Sequence, residues 1–358
     1  MIKKALIFNP YLDTLGGGEF YSLLVGEFLF QQKFSVEIAW PEKSILEKIY
    51  LRFSLDFEDR IKVNKKAFSV LKKKGNLVQK YLLTKDYQLI FFVSDGSIPL
   101  LFAKNNWLLF QSPFINIQGR SIFNQGKLKK INQVISYSNF VKKFIDEEFK
   151  VCSQVIYPTV SSNFFELNKI KDKENIILSV GRFDQILNAK KQDVLVKAFK
   201  KLVDDGLKDW SLVLLGGLME ENQYFKKLKQ LTKGYPVKIV PNVSFKTLFD
   251  YYKKAKIYWH AAGFSNNLEV HPERAEHFGI SVVEAMVSGA VPLVFKGGGV
   301  SEIVRKEQFL WESLEELNKK TNKVIKNDSL MADLRKDSIK RGRFFTKQRM
   351  FSALNKLL

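Results

Sequence analysis

The sequence predicts an α/β protein made of two successive doubly wound domains. Three observations carry this. At 358 residues the chain exceeds one ordinary core and suits two domains. Short apolar runs alternate with stretches of helical periodicity, as in parallel sheets with crossover helices. A polar, charged segment without periodicity, from Ser161 to Glu174, separates two such series and reads as a linker.

In the first series the expected strands are Ala5–Asn9, Val36–Trp40, Leu89–Val93, Trp107–Phe110, Gln133–Ser136 and Gln154–Tyr157. A helix opening near Gly17 carries Phe20, Leu23, Leu24, Phe28 and Leu29 at helical spacing. The second series has expected strands at Ile176–Val180, Ser211–Leu215, Val237–Val240, Ile257–His260 and Ala290–Phe295. Helices at Asp193–Asp205, stopped by Gly206, and at Tyr224–Thr232 lie between them. The stretch from Ser329 to Leu358 reads as one or two helices with no strand after them, so it must pack back on the rest. The expected domains are residues 1–162, completed by a C-terminal helix of about 341–358, and residues 163–340.

Composition narrows the function classes. A 46% hydrophobic and 27% charged content is globular. The opening MIKKALIFNP is too short for a secretory leader, and no run reaches the roughly 18 apolar residues of a membrane span. The single cysteine, Cys152, excludes an internal disulfide framework and a Cys-rich zinc site. The expected location is the cytoplasm, with the inner face of the plasma membrane as a further option. The net charge of +21 fits a solvated lysine surface or an anionic partner, either nucleic acid or an acidic membrane. Residues 60–81, RIKVNKKAFSVLKKKGNLVQKY, interleave Lys with Val63, Phe68, Val70, Leu71, Leu77 and Val78. Such a stretch suits an anionic lipid surface or a helix whose apolar face enters the core.

The most informative segment runs from Glu276 through His277, Phe278, Gly279, Ile280 and Ser281 to Glu284, then Ala285-Met286 and Gly289. It reads as loop, helix from about Ile280 to Ser288, glycine stop at Gly289, and buried strand. The free amides at such a helix start suit a phosphate. Glu276 precedes the helix and Glu284 lies about one turn inside it, among Val282, Val283, Ala285 and Met286, which argues against full solvation.

Glu-x7-Glu followed by Ala-Met-x-x-Gly-x-x-Pro resembles the donor-site signature of retaining glycosyltransferases of family GT4 (glycosyl transferases group 1). The His-Phe-Gly variant is similar to mannosyltransferases that extend lipid-linked oligosaccharides, and Trp259-His260-Ala261 upstream resembles a stretch of bacterial relatives. The resemblance implies the GT-B fold, two Rossmann-like domains facing across a cleft. It also implies hexosyl transfer from a GDP- or UDP-linked sugar to a glycan or lipid-linked acceptor, with no metal and no other cofactor. On the same basis Arg182, which ends the first strand of the second domain, and Lys190 hold the donor diphosphate. Fixed cations there stabilise the charge that develops on the leaving group. Glu276 orients the sugar hydroxyls, Glu284 binds the ribose, and the amides of Ile280 and Ser281 add donors.

Other segments fit the resemblance. Gly16-Gly17-Gly18-Glu19 is not the dinucleotide fingerprint, which disfavours NAD; the family's Gly-Gly-x-Glu loop lines the cleft, so Gly17 and Gly18 join the donor site. A plain tight turn is the bland alternative. Gly216-Gly217 ends a strand, as the family has beside the nucleotide. Pro241-Asn242-Val243-Ser244 stands where the family holds the base, with Val243 as the contact. Gly297-Gly298-Gly299 resembles the last glycine-rich turn near the nucleotide.

The three histidines, His260, His271 and His277, match no helical ligand spacing, so no metal site is expected; His277 is read as lying near the donor and the other two as orienting loops. One departure stands out. Many relatives carry a His where this chain has Leu109, before Gln111-Ser-Pro-Phe. A catalytically inactive scaffold is therefore one competing reading; the charge alone suggests another, a basic nucleic-acid-binding protein, although no RRM, helix-turn-helix or zinc finger is evident and no nucleic acid is expected. Glycoside hydrolysis by the two glutamates is disfavoured, because it leaves the Arg/Lys pair without a role.

Overall fold

The computed structural model describes residues 3–53, 55, 57, 60–72, 75–169, 173–185 and 189–358. The chain divides into two compact units, residues 1–158 with 348–358, and residues 159–347.

The first unit holds a parallel sheet with order β3-β2-β1-β4-β5-β6-β7. Its strands are β1 (Lys3–Phe8), β2 (Phe34–Ala39), β3 (Ile61–Val63), β4 (Leu89–Val93), β5 (Asn105–Phe110), β6 (Gln133–Ser136) and β7 (Gln154–Val155). Both faces are covered, so β4 reads as an unbroken buried run, LIFFV, instead of an alternating one. The Gly17–Gln31 helix buries Leu23, Leu24, Phe28 and Leu29, and Phe28 meets Phe351 of the C-terminal Lys347–Asn355 helix edge to face at 5.4 Å. That contact ties the last helix to this unit, and the chain rejoins it at residue 348, later than the expected 341. The intervening Asp328–Gly342 helix belongs to the second unit, where Ser338 Oγ donates to Ala290 O at 2.9 Å.

The second unit repeats the plan with order β10-β9-β8-β11-β12-β13. Its strands are β8 (Glu174–Val180), β9 (Ser211–Gly216), β10 (Val237–Pro241), β11 (Ala255–His260), β12 (Val291–Phe295) and β13 (Leu310–Trp311). Numbered within the unit, the order is 3-2-1-4-5-6. The direction of winding reverses between β8 and β11, and ligands of such sheets bind outside the carboxyl ends of the strands at that reversal. The middle of the sheet is dry: Ile177, Leu178, Ile257, Tyr258, Trp259, Leu293 and Val294 are all fully buried.

Several expectations need correction. The linker reading fails for Ser162–Lys169, a 3-10 helix in which Phe164 packs edge-on against Phe245 and Tyr252. Residues Ile170–Asp172 of that segment lie outside the described residues. The basic stretch 60–81 is not one amphipathic helix. It divides into β3, a Lys65–Lys72 helix that buries Ala67 and Leu71, and a Leu77–Thr84 helix. Its first part faces the core, whereas Leu77, Val78, Tyr81 and Leu82 are 60%, 63%, 47% and 57% exposed. Lys73 and Lys74 lie outside the described residues. Among the described residues no helix is long and apolar enough to cross a membrane.

Candidate active site

The carboxyl edge of the second sheet gathers the charged side chains. β8 ends at Val180 and delivers Gly181 and Arg182; the buried Gln192 pins that turn, its Nε2 donating to Gly181 O at 3.1 Å and Arg182 O at 2.9 Å. β9 ends against it. A Cβ on Gly216 would stand 1.9 Å from Gly181 O, and one on Gly181 would stand 2.5 Å from Lys190 Cγ. The two glycines thus let the strand ends close up and make room for the Lys190 stem. Beyond β10, Asn242 bonds both backbone groups of Leu218 at 2.8 Å and so joins the loops after β9 and β10, with the half-buried Val243 next in the chain.

Lys190 Nζ reaches Glu276 Oε2 at 2.6 Å, and His260 Nε2, at the end of β11, reaches the same oxygen at 2.8 Å. Glu276 is 8% exposed. Burial alone would raise its carboxyl, but the Lys190 ammonium and the His260 contact overcome that and hold it well below the usual carboxylate range. Burial pushes His277 down to about 4 despite the neighbouring Glu276 carboxylate, and its Nε2 lies 3.2 Å from Glu273 O.

The helix after Glu276 spans Ile280–Val287. It starts at Gly279, whose φ of 108° is left-handed; a Cβ there would stand 2.6 Å from Val300 Cγ1 and 3.4 Å from Glu276 Cγ. It ends in a Schellman turn: Ala290 N–H donates to Ala285 O, Gly289 N–H donates to Met286 O, and Gly289 has φ 79°. Val282, Val283, Ala285 and Met286 are buried, so Ile280, Ser281 and Glu284 form the partly open face. Glu284 Oε2 accepts from the Tyr252 hydroxyl at 2.7 Å. Burial, then the Glu284 carboxylate, raise the Tyr252 phenol, which keeps it a donor. The Phe278 ring packs into the core against Phe345, centroids 5.5 Å apart, so this position offers a ligand its backbone.

The glycine-rich turn 297–299 is the seat of Glu276. Gly299 N–H donates to Glu276 O at 2.7 Å, and a Cβ on Gly298 would stand 2.4 Å from that same oxygen. Arg182 is placed differently from Lys190. Its side chain is 61% exposed, with Nε 3.5 Å from Asp184.

Gly17 and Gly18 belong to the first unit. Gly17 opens the helix, the buried Glu19 caps Gly16 N–H at 2.9 Å, and Gly18 O accepts from Gln111 Nε2 at 3.1 Å and Tyr137 Oη at 3.2 Å. A Cβ on Gly18 would stand 2.6 Å from Gln111 Oε1, so the close approach it permits is to that side chain. Leu109 is fully buried in β5. Two residues of the site escaped the sequence reading. His260 was expected only to orient a loop, and Tyr252 was not singled out. Among the described residues no group of three or more His, Cys, Asp and Glu gathers to hold a metal.

Comparison with known proteins places this edge in a family. The model of the glycosyl transferases group 1 family matches residues 160–343. The chain belongs to the glycosyl transferases group 1 family. Among curated relatives it is 28% identical to the mouse GDP-Man:Man(3)GlcNAc(2)-PP-Dol alpha-1,2-mannosyltransferase, over 41% of this chain and 30% of that protein. It is 29% identical to the alpha-1,3/1,6-mannosyltransferase of Saccharomyces cerevisiae, over 51% of this chain and 42% of that one. This glycosyl transferases group 1 chain thus matches well under half the length of either relative. Solved glycosyltransferase structures share its fold. Anabaena HepE in complex with UDP and glucose aligns over 99% of both chains, with a TM-score of 0.66 and 18% identity. WaaG, a glycosyltransferase involved in lipopolysaccharide biosynthesis, aligns over 95% of both, with a TM-score of 0.61 and 13% identity. The GT-B, α/β architecture expected from the motif is therefore observed.

Proposed function

We propose that this chain transfers a hexosyl group, of the mannose or glucose type, from a nucleoside diphosphate sugar to a hydroxyl of a glycan or lipid-linked acceptor, with retention at the anomeric carbon. One observation carries the proposal: Lys190 and Glu276 meet beside the start of the Ile280–Val287 helix, at the winding reversal of a family member's second sheet. A cation and free helix amides suit a diphosphate, and a carboxylate next to them suits sugar hydroxyls or positive charge on the ring.

In the transfer, the bond from the anomeric carbon to the diphosphate oxygen breaks and its electron pair leaves on the phosphate. The acceptor oxygen bonds to the same face of that carbon, and its proton passes to the departing phosphate. Lys190, with Arg182 turned inward, neutralises the leaving group. Glu276 faces the sugar, Glu284 the ribose, and no metal is needed.

Calorimetry with GDP, UDP and their mannose and glucose conjugates tests this. One nucleotide sugar binds the wild type, and Arg182→Ala and Glu284→Ala each weaken it about tenfold or more. If none binds, or if both variants bind as the wild type does, the donor site is wrongly assigned.

The acceptor reading includes peripheral contact with an anionic membrane. It is supported by the exposed Leu77, Val78, Tyr81 and Leu82 in a chain of net charge +21. Replacing these four by Ser and Gln lowers binding to vesicles of anionic lipid; unchanged binding refutes the contact.

A further inference from the structure

Two donors, one of them a cation, share one oxygen of Glu276. Lys190 Nζ and His260 Nε2 both bond Oε2, at 2.6 and 2.8 Å, and among the described residues nothing bonds Oε1. The pairing with Lys190 poses a problem for the reading above, on which this inference rests. The lysine assigned to the donor diphosphate is already neutralised by a carboxylate of the same chain. A diphosphate that recruits Lys190 must take it from Glu276, and a carboxylate that is 8% exposed would then lose its cation.

The geometry supplies what remains. His260 is 3% exposed and fixed at the end of a central strand, and its Nδ1 is buried with no partner among the described residues. A buried N–H without an acceptor costs more than an idle lone pair, so the ring hydrogen belongs on Nε2, where Glu276 accepts it. His260 therefore donates to Oε2 by its own tautomeric preference, whatever Lys190 does.

We propose that donor binding is an ion-pair exchange, in which Lys190 leaves Glu276 for the diphosphate while His260 acts as the positioning residue that keeps the carboxylate in place with Oε1 turned to the sugar. Glu276 is then an internal counterion of Lys190, and a bare nucleoside diphosphate competes with it for that lysine. The sign is unusual. Removing an acidic residue of the site strengthens binding of the leaving group.

The test is a binding cycle with GDP and UDP as probes, on the full chain, with thermal unfolding of each variant as the control for folding. Glu276→Gln binds the diphosphate about tenfold tighter than wild type, the scale of one charged hydrogen bond. His260→Asn, whose amide stops at the Nδ1 position, weakens it about tenfold, because the freed carboxylate has no partner. His260→Gln, whose amide reaches the Nε2 position, restores wild-type affinity. In the Glu276→Gln background His260→Asn changes nothing, since there is no carboxylate left to hold. Equal or weaker binding by Glu276→Gln overturns the exchange. A His260→Asn loss that persists in that background, or that His260→Gln fails to rescue, overturns the positioning role and marks His260 as a packing residue. Binding of neither diphosphate to wild type or Glu276→Gln overturns the donor reading itself, a result distinct from binding without coupling.

Discussion

Gly299→Ala adds one methyl group at the point where the turn after β12 supports Glu276. The new Cβ would stand 2.2 Å from His277 O and 2.9 Å from Phe278 Cα, both backbone atoms that cannot rotate away. Ordinary contact begins near 3.4 Å, so the two segments must separate by about 1 Å. That separation stretches the 2.7 Å bond from Gly299 N–H to Glu276 O. Overpacking of this kind costs about 1 to 3 kcal/mol and a buried hydrogen bond about 1 kcal/mol, so the expected destabilisation is about 2 to 4 kcal/mol. Because Glu276 rides on the displaced backbone, transfer activity falls further than stability requires, on the order of a hundredfold for a 1 Å misplacement. Urea unfolding followed by a signal confined to the second unit measures the first quantity, and steady-state transfer at a temperature where the variant is folded measures the second. Gly126→Ala, in the first unit and followed by a signal of that unit, is the control. It lies in the Ile122–Leu128 helix with nothing within 4 Å of the added Cβ, so it stabilises by about 0.5 kcal/mol or more. A Gly299→Ala variant within 0.5 kcal/mol of wild type would refute the claim that this turn seats Glu276.

Two other expectations concern the side chains around the same edge. His277 is pushed down to about 4 in the fold, from 6.5 in a free chain, so between those values the unfolded chain binds the extra proton. Its contribution is therefore intact above pH 6.5 and is lost as pH falls toward 4. The loss is at most about 3 kcal/mol, reduced by the partial exposure of the ring. Urea midpoints of wild type and His277→Phe at pH 7 and pH 4.5 check this, and a variant as acid-sensitive as the parent assigns the loss to another group. Tyr252→Phe removes the hydroxyl 2.7 Å from Glu284 Oε2 and is expected to weaken nucleotide affinity about tenfold while leaving the ring packing intact. Unchanged affinity by calorimetry would mean that Glu284 keeps its orientation unaided.

Much of the architecture was legible because a buried parallel strand is an apolar run that little else in a sequence imitates. β4, LIFFV, and β6, QVIS, begin and end as read. The strands that escaped are the short edges. β3 has three residues around Lys62, and β13 is a Leu-Trp pair buried by its neighbours instead of by any pattern of its own. Ser162–Lys169 was misread because, among the described side chains, only Phe164 and Leu167 are in the core, which leaves no period to detect. At the site, local signals held and convergence did not. Gly279 and Gly289 announce their helix from the sequence alone. That His260 bonds a carboxylate sixteen residues away, or that Tyr252 from another helix bonds Glu284, depends on sheet order, and no spacing encodes it.

The two glutamates of the motif end up with different partners, and those of Glu276 limit what the site can do. A glycoside hydrolase needs one carboxyl with a raised pKa, poised to give its proton to the leaving oxygen. Glu276 is driven the other way: Lys190 and His260 outweigh its burial and keep it ionised through the neutral range. It has no proton to give. Glu284 Oε2 accepts from a phenol that burial keeps protonated. Glu276, ionised and paired with Lys190, cannot protonate a poor leaving group. The site can receive a good one, a diphosphate that needs no proton from a carboxyl and brings the charge that draws Lys190 from Glu276. The Lys190–Glu276 pairing is thus consistent with transfer from an activated sugar and leaves Glu276 no part as the acid of a hydrolase.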